Sequence, residues 1–245
     1  MRYFVTGATG FIGSRLVRQL RDAGHDVIAL VRDPAAPPAR ELAAMGATLA
    51  PGDITDPASL PAPMAGVDGV FHLAAWYRVG AGARERATAH AINVDGTRNV
   101  LEAAREAGVP RVVYTSSLAV FGDTGGRVVD ESYRMNGPWL SAYDRTKWGA
   151  HYEVALPMAE AGLPLVIVQP GFVHGPGDQS NVGQALRDYL RRRLPVIPDQ
   201  GGCWAHVDDV ARGHLLAMER GRPGQSYIIS GPPKMWREAL AVAHE

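Results

Sequence analysis

The sequence predicts an α/β protein with a doubly wound parallel sheet and a small C-terminal lobe, and three observations carry that expectation. Six short β-rich runs alternate with segments of helical period. Two of the runs, Val70-Phe71-His72-Leu73 and Val112-Val113-Tyr114, are apolar almost without interruption, as strands covered on both faces are. A glycine-spaced turn, Thr6-Gly7-Ala8-Thr9-Gly10-Phe11-Ile12-Gly13, joins the first run to the first helical segment. Strand, helix, strand repeated in this order leads to a parallel sheet, because parallel neighbours need a crossover connection.

The expected strands are Arg2–Thr6, Asp26–Val31, Thr48–Pro51, Gly69–Leu73, Arg111–Ser116 and Pro164–Gln169. Between them, Phe11–Ala23, Arg84–Ala107 and Ser141–Ala161 carry helical periodicity, and Pro57–Met64 reads as a short turn of helix. Beyond Pro170 glycine and proline become frequent, with Gly171–Gly183 and Pro195–Gly202 as loops. That change divides the chain into a dinucleotide-binding domain, 1–170, and a small substrate lobe, 171–245. The lobe is expected to hold helices at Gly183–Arg193, Val207–Glu219 and Met235–His244, with a strand at Ser226–Ser230.

Composition bounds the function. The 245 residues suffice for one sizeable core. Twenty-five basic residues balance twenty-five acidic ones, so no overall field draws a nucleic acid. No apolar run of about 18 residues offers a membrane span. The N-terminus lacks the basic-then-apolar pattern of a secretory leader, and a single cysteine, Cys203, excludes an intramolecular disulfide framework. The expectation is a cytoplasmic protein. Only Lys147 and Lys234 are lysines. A lysine in an arginine-using chain calls for a specific reason.

The glycine turn sits after a strand and before a helix, the context of a Rossmann-type phosphate-binding turn. Gly7 permits the tight turn, Gly10 lets the backbone approach a pyrophosphate, and Gly13 allows close packing of helix on strand, with phosphate charge facing the helix N-terminus. The second strand ends Leu30-Val31-Arg32-Asp33. In such folds an acid at this place favours NAD and an arginine accommodates a 2′-phosphate. Val31 stands at the acid position and Arg32 suits a phosphate, so NADP(H) is favoured over NAD(H). Asp33 keeps NAD open, its other role being a turn residue before Pro34. After the third strand, Asp53 with Ile54 can meet an adenine amino group, or Asp53 can simply cap the next helix.

Tyr143 and Lys147 stand four residues apart at the start of a predicted helix, on one face. Tyrosine titrates near pH 10, so proton transfer near neutrality needs its phenolate stabilised by about 4 kcal/mol. A nearby lysine and a bound nicotinamide cation can supply this. Thr115-Ser116-Ser117 ends the fifth strand, where doubly wound folds place ligand-contacting residues.

Together these runs resemble the extended short-chain dehydrogenase/reductase family, which includes NAD-dependent epimerase/dehydratases and dihydroflavonol-reductase-like enzymes. Besides the glycine turn, the carriers are Gly52-Asp53-Ile54-Thr55-Asp56, His72-Leu73-Ala74-Ala75, Asn93-Val94-Asp95-Gly96-Thr97, Tyr114-Thr115-Ser116-Ser117, Tyr143 with Lys147, and Gln169-Pro170-Gly171. The resemblance covers nearly the whole chain. It implies a catalytic set of Ser117, Tyr143 and Lys147, with Ser116 the less favoured hydroxyl and Asn93 a structural helper. It implies a cofactor site of Gly7, Thr9, Gly10, Phe11, Ile12, Gly13, Arg32, Asp53, Ile54, Leu73, Ala74, Ala75, Tyr143, Lys147, Pro170 and Val173. Hydride would pass between nicotinamide and a carbonyl carbon, Tyr143 would give or take the proton, Lys147 would lower the tyrosine pKa and hold the ribose, and Ser117 would hold the developing alkoxide. The resemblance also implies a homodimer built on the two long helices, and a substrate lobe longer than this chain supplies. The dehydratase branch usually carries Thr-Asp-Glu where this chain has Thr115-Ser116-Ser117, which disfavours sugar-nucleotide dehydration.

Other features invite plainer readings. Arg191-Arg192-Arg193 reads as a solvated helix end, and His206-Val207-Asp208-Asp209 as a helix start rather than a metal site. Trp76, Tyr77 and Arg78 follow the fourth strand and read as facing the substrate, with core packing or a surface loop as equal alternatives for the aromatics. No metal is expected. Three functions compete: NADPH-dependent reduction of an aldehyde or ketone, which leads; nucleotide-sugar epimerisation with retained cofactor; and NADP(H) binding without turnover.

Overall fold

The computed structural model describes residues 1–77 and 83–242. All six expected strands are present: β1 (Arg2–Thr6), β2 (Asp26–Val31), β3 (Thr48–Pro51), β4 (Gly69–His72), β5 (Val112–Thr115) and β6 (Leu165–Pro170). Four more follow, β7 (Phe172–His174), β8 (Gly201–His206), β9 (Ser226–Ile229) and β10 (Pro233–Met235). The main sheet has the order β3-β2-β1-β4-β5-β6-β9, and each of its pairings is parallel. Strand order reverses between β1 and β4, which opens a crevice at the carboxyl ends of the strands.

The helices are α1 (Phe11–Asp22), α2 (Pro37–Ala44), α3 (Pro61–Met64), α4 (Ala83–His90), α5 (Gly96–Glu106), α6 (Ala142–Gly149), α7 (Leu156–Glu160), α8 (Asn181–Leu190), α9 (Val207–Arg220) and α10 (Trp236–Val242). Two π-helical segments, Ala91–Asp95 and Ala150–Ala155, join α4 to α5 and α6 to α7. The expected long helices therefore exist, each with a wide turn inside it.

Alternation along the strands explains the two layers. Phe4, Ile28, Val70, Val112, Tyr114 and Ile167 share one core with Leu101 of α5 and Val154 of the second π segment. Their neighbours Tyr3, Val27, Phe71, Val113 and Val168 share the other with Leu16 and Leu20 of α1 and Leu215 of α9. Each such fully buried aliphatic side chain contributes about 1.5–3 kcal/mol of transfer free energy.

Beyond Pro170 the chain serves the main sheet, the second of these layers and a small sheet. β9 closes the main sheet beside β6, and α9 packs on α1, where Gln19 Nε2 donates to the Asp208 carbonyl at 3.0 Å. β10-β8-β7 form the small sheet, held by Trp204 against Trp236 (ring centroids 4.8 Å apart) and Phe172 (5.4 Å).

Some expectations need correction. Pro195–Gly202 is not loop to its end, because β8 begins at Gly201 and pairs antiparallel with β10. α2 was hidden behind Pro37-Pro38; proline is tolerated in a first helical turn, where its missing N–H has no partner to lose. The helix expected from Met235 begins at Trp236, and its far end, His244, lies outside the described residues. Among the described residues, no helix is long and apolar enough to cross a membrane.

Candidate active site

The glycine turn is built as its sequence requires. Gly7 has φ +69°, and a Cβ there would lie 2.5 Å from the backbone nitrogen of Ala74. The turn thus presses directly on the segment after β4, which brings Leu73, Ala74 and Ala75 into the same crevice. A Cβ on Gly13 would lie 2.1 Å from the Gly7 carbonyl oxygen. Gly10 caps α1 without a side-chain hydrogen bond, and the first turn of the helix has no acidic residue. The first-turn N–H groups are left to an external acceptor, and Thr9 and Gly10 are exposed beside them. This cradle fits the pyrophosphate of a dinucleotide.

At the adenosine end, Val31 is buried, whereas Arg32 is exposed at the end of β2. Asp33 Oδ1 accepts from the Ala35 backbone N–H at 2.8 Å, so the carboxylate serves the turn. Asp53 Oδ1 accepts from the Thr55 backbone N–H and hydroxyl, both at 2.8 Å; Asp56, not Asp53, caps the helical turn that follows. Ile54 is buried, and its carbonyl accepts from Asn99.

Lys147 reaches the carboxyl end of β5, which Ser117 follows, and Tyr143 lies one turn before Lys147 on α6. Ser141 caps α6, its hydroxyl accepting from the Asp144 N–H at 3.2 Å, and so fixes the first turn that carries Tyr143. Burial holds the Tyr143 phenol above its usual value, a hydrogen bond from Ser117 opposes that rise, and nearby Tyr77 and Asp144 add to it. Lys147, 3% exposed, has its pKa pushed down to about 7 by burial. Its Nζ donates to the Thr115 carbonyl at 2.7 Å and to the Tyr114 hydroxyl at 3.3 Å. Ser116 turns inward to His151 Nδ1 at 2.8 Å, whereas Ser117 caps the turn after β5, its hydroxyl accepting from the Ala119 N–H at 3.1 Å.

Neighbouring residues complete the arrangement. Asn93 is buried in the first π segment; its Oδ1 accepts from the Trp76 N–H at 2.7 Å and its Nδ2 donates to the Trp76 carbonyl at 3.0 Å and the Thr146 hydroxyl at 2.9 Å. It pins the segment after β4 to α6. Tyr77 sets its ring edge-on to Tyr143, centroids 4.8 Å apart, a contact the sequence left undecided; Arg78 lies outside the described residues. Pro170 is buried at the end of β6, and Val173 is half-buried on β7. His206 caps α9, with Asp208 and Asp209 in its first turn, while Arg191, Arg192 and Arg193 are exposed just past α8.

The sequence profile of the NAD dependent epimerase/dehydratase family matches residues 3–230. A candidate dihydroflavonol 4-reductase of Synechocystis is 40% identical over 235 residues, spanning 93% of this chain and 67% of that protein. The 4-hydroxy-2-methyl-3-oxo-4-farnesyl-3,4-dihydroquinoline-1-oxide ketoreductase of Stigmatella aurantiaca is 35% identical, spanning 100% of this chain and 73% of that one. Among solved structures, the dTDP-glucose 4,6-dehydratase of Streptomyces venezuelae, with NAD and TYD bound, superposes with a TM-score of 0.87 at 30% identity, over 99% of this chain and 80% of that one. The chain belongs to the NAD dependent epimerase/dehydratase family, within the extended short-chain dehydrogenases/reductases, and is an NAD(P)-dependent enzyme of that class.

Proposed function

We propose that this enzyme is an NADP(H)-dependent oxidoreductase that reduces an aldehyde or ketone, with Ser117, Tyr143 and Lys147 as its catalytic set. The observation that carries the proposal is the placing of buried Lys147, one turn beyond Tyr143 on α6, with its Nζ donating to the Thr115 carbonyl at the end of β5 at 2.7 Å. The bound dinucleotide supplies the hydride and, in the oxidised form, a positive charge.

The chain's own residues supply the rest. Tyr143 delivers a proton to the carbonyl oxygen, and Ser117 donates a hydrogen bond to that oxygen as charge develops. Burial, with Tyr77 and Asp144 adding to it, keeps the phenol protonated, which suits a proton donor. Lys147 would hold the ribose hydroxyls and favour the phenolate left after transfer. Glycine-turn residues Gly7, Thr9, Gly10, Phe11, Ile12 and Gly13 would cradle the pyrophosphate, Asp53 and Ile54 would meet the adenine, and Leu73, Ala74, Ala75, Pro170 and Val173 would line the nicotinamide half. Arg32 favours the 2′-phosphate, a preference supported by the commitment of Asp33 to its own turn. Relatives named as reductases support the direction of the chemistry.

A second reading is nucleotide-sugar epimerisation with retained cofactor, favoured by the likeness to a dehydratase solved with NAD and TYD. Steady-state oxidation of NADPH against a panel of aldehydes and ketones separates the two. The proposal expects multiple turnovers, and a loss of about 10²–10⁴-fold in kcat for Tyr143→Phe at similar cofactor affinity. A protein that consumes no free NADPH with any carbonyl, yet purifies with a tightly held dinucleotide, moves the epimerase reading to first place.

A further inference from the structure

Two consecutive residues at the end of β5 reach histidines on opposite faces of the sheet. The Thr115 hydroxyl lies 2.8 Å from His214 Nε2 of α9, and the Ser116 hydroxyl lies 2.8 Å from His151 Nδ1 of the second π segment. Alternation along a strand sends successive side chains to opposite sides in this way. The direction of the first bond can be worked out. His214 Nδ1 is 2.7 Å from the Val210 carbonyl, which can only accept, so Nδ1 carries a proton. His214 is fully buried, and burial pushes its pKa down to about 4 against the opposing effect of the Val210 carbonyl. The ring is therefore neutral, its Nε2 is the acceptor, and the Thr115 hydroxyl donates to it.

The peptide between Thr115 and Ser116 carries the acceptor that Lys147 uses. Its N–H, on Ser116, donates to the Val168 carbonyl of β6 at 2.8 Å. In a trans peptide the carbonyl points the other way, so the Thr115 oxygen turns away from β6, and Lys147 Nζ meets it at 2.7 Å. The parallel ladder that sets the Val70 N–H on the Arg111 carbonyl would, four residues on, bring the Ala74 N–H to this oxygen. That N–H is held instead by Thr6 Oγ1 at 3.3 Å, which leaves the oxygen to the lysine. The Tyr114 hydroxyl is a second and longer partner, at 3.3 Å. A buried cation relies on such protein acceptors, and Lys147 depends on how firmly this peptide is held.

We infer that His214 is a positioning residue for Lys147: from the layer of the sheet opposite α6 it takes the Thr115 hydroxyl proton and so fixes the peptide whose carbonyl holds the lysine. The inference rests on the catalytic role given to Lys147 in the proposed function. Ser116 and His151 grip the other end of the same peptide, so the bond to His214 is one of two side-chain supports. α9 follows directly on β8 of the small sheet, and the chain beyond Pro170 is thus tied to the lysine through one hydroxyl.

Two lysines make the test direct. Labelling lysine with ¹³C at Cε gives one signal from Lys147 and one from exposed Lys234, an internal control, and Lys147 can be titrated in the cofactor-free protein. Thr115→Val keeps the branched shape and removes the donor, and His214→Leu removes the acceptor. Neither alters His72, His151 or Tyr114, which also interact with Lys147. Each variant should lower the Lys147 midpoint by about half a pH unit, a share of the unit or more that a hydrogen bond to a charged group commands, because the carbonyl is loosened rather than lost. The double variant should fall no further than either single one, since both remove the same bond. His214→Gln, which offers an acceptor near the place of Nε2, should restore the wild-type midpoint. A wild-type midpoint in Thr115→Val, or falls that add in the double variant, overturns the inference, and Thr115→Val with His214→Gln decides it if His214→Leu fails to fold. Absence of carbonyl turnover in the wild type would count against the reductase reading, whereas the lysine titration judges His214 either way.

Discussion

Arg32 stands in solvent at the end of β2, while the acid beside it is tied into a turn. Both facts follow from one local feature, the Asp33-Pro34 pair: proline restricts the residue before it, and an aspartate there closes a turn on its own backbone. The guanidinium is the group positioned to bind a phosphate, and its worth is moderated by exposure. In calorimetric titrations Arg32→Ala should therefore weaken NADPH binding about tenfold and leave NADH binding within about twofold. Equal affinity for the two dinucleotides in the wild type would remove the argument from Arg32. Most of this was legible in the sequence, because the glycine spacing and the residues ending β2 are local signals. Tyr114 was not. It receives Lys147 of α6, 33 residues away, at its hydroxyl and His72 of β4 on its ring, and no local pattern reports such a meeting.

Among the elements, the π segment Ala91–Asp95 does the most for the site. It sits between α4 and α5 and carries Asn93, a polar residue buried to 1% exposure inside a long helix. Wide turns of this kind recur at functional places, and here the side chain links two elements through both its oxygen and its nitrogen. Asn93→Leu leaves the Trp76 N–H and carbonyl unpaired, at a cost of about 3 kcal/mol. Chemical denaturation should show that loss, with cofactor affinity falling because the segment after β4 is released; unchanged stability would show the clamp to be dispensable. The helices were visible in the sequence by their period, but their π turns were not, since apolar spacing does not distinguish a wide turn from an ordinary one. β7, β8 and β10 escaped for a different reason. They are three to six residues long, and β8 opens Gly201-Gly202, a composition that marks a loop until antiparallel pairing with β10 overrides it.

At the scale of the whole molecule, the reversal of strand order between β1 and β4 gathers the site. It sets the glycine turn, the segment after β4, the end of β5 and the end of β6 around one crevice, and α6 delivers Tyr143 and Lys147 to it. The homodimer, which the long helices on either side of the π segments would form, remains a proposal. Sedimentation equilibrium should give twice the chain mass, and a single-chain mass at every concentration contradicts it. Isotope transfer tests the proposed passage of hydride from NADPH to a carbonyl. NADPH deuterated on the transferring face of the nicotinamide is mixed with the best carbonyl substrate, and the product alcohol is examined by mass spectrometry and proton NMR. The expected product carries one deuterium on the carbinol carbon of each molecule, with release of unlabelled NADP⁺. Deuterium that stays on the dinucleotide, or product formed without its oxidation, would contradict it.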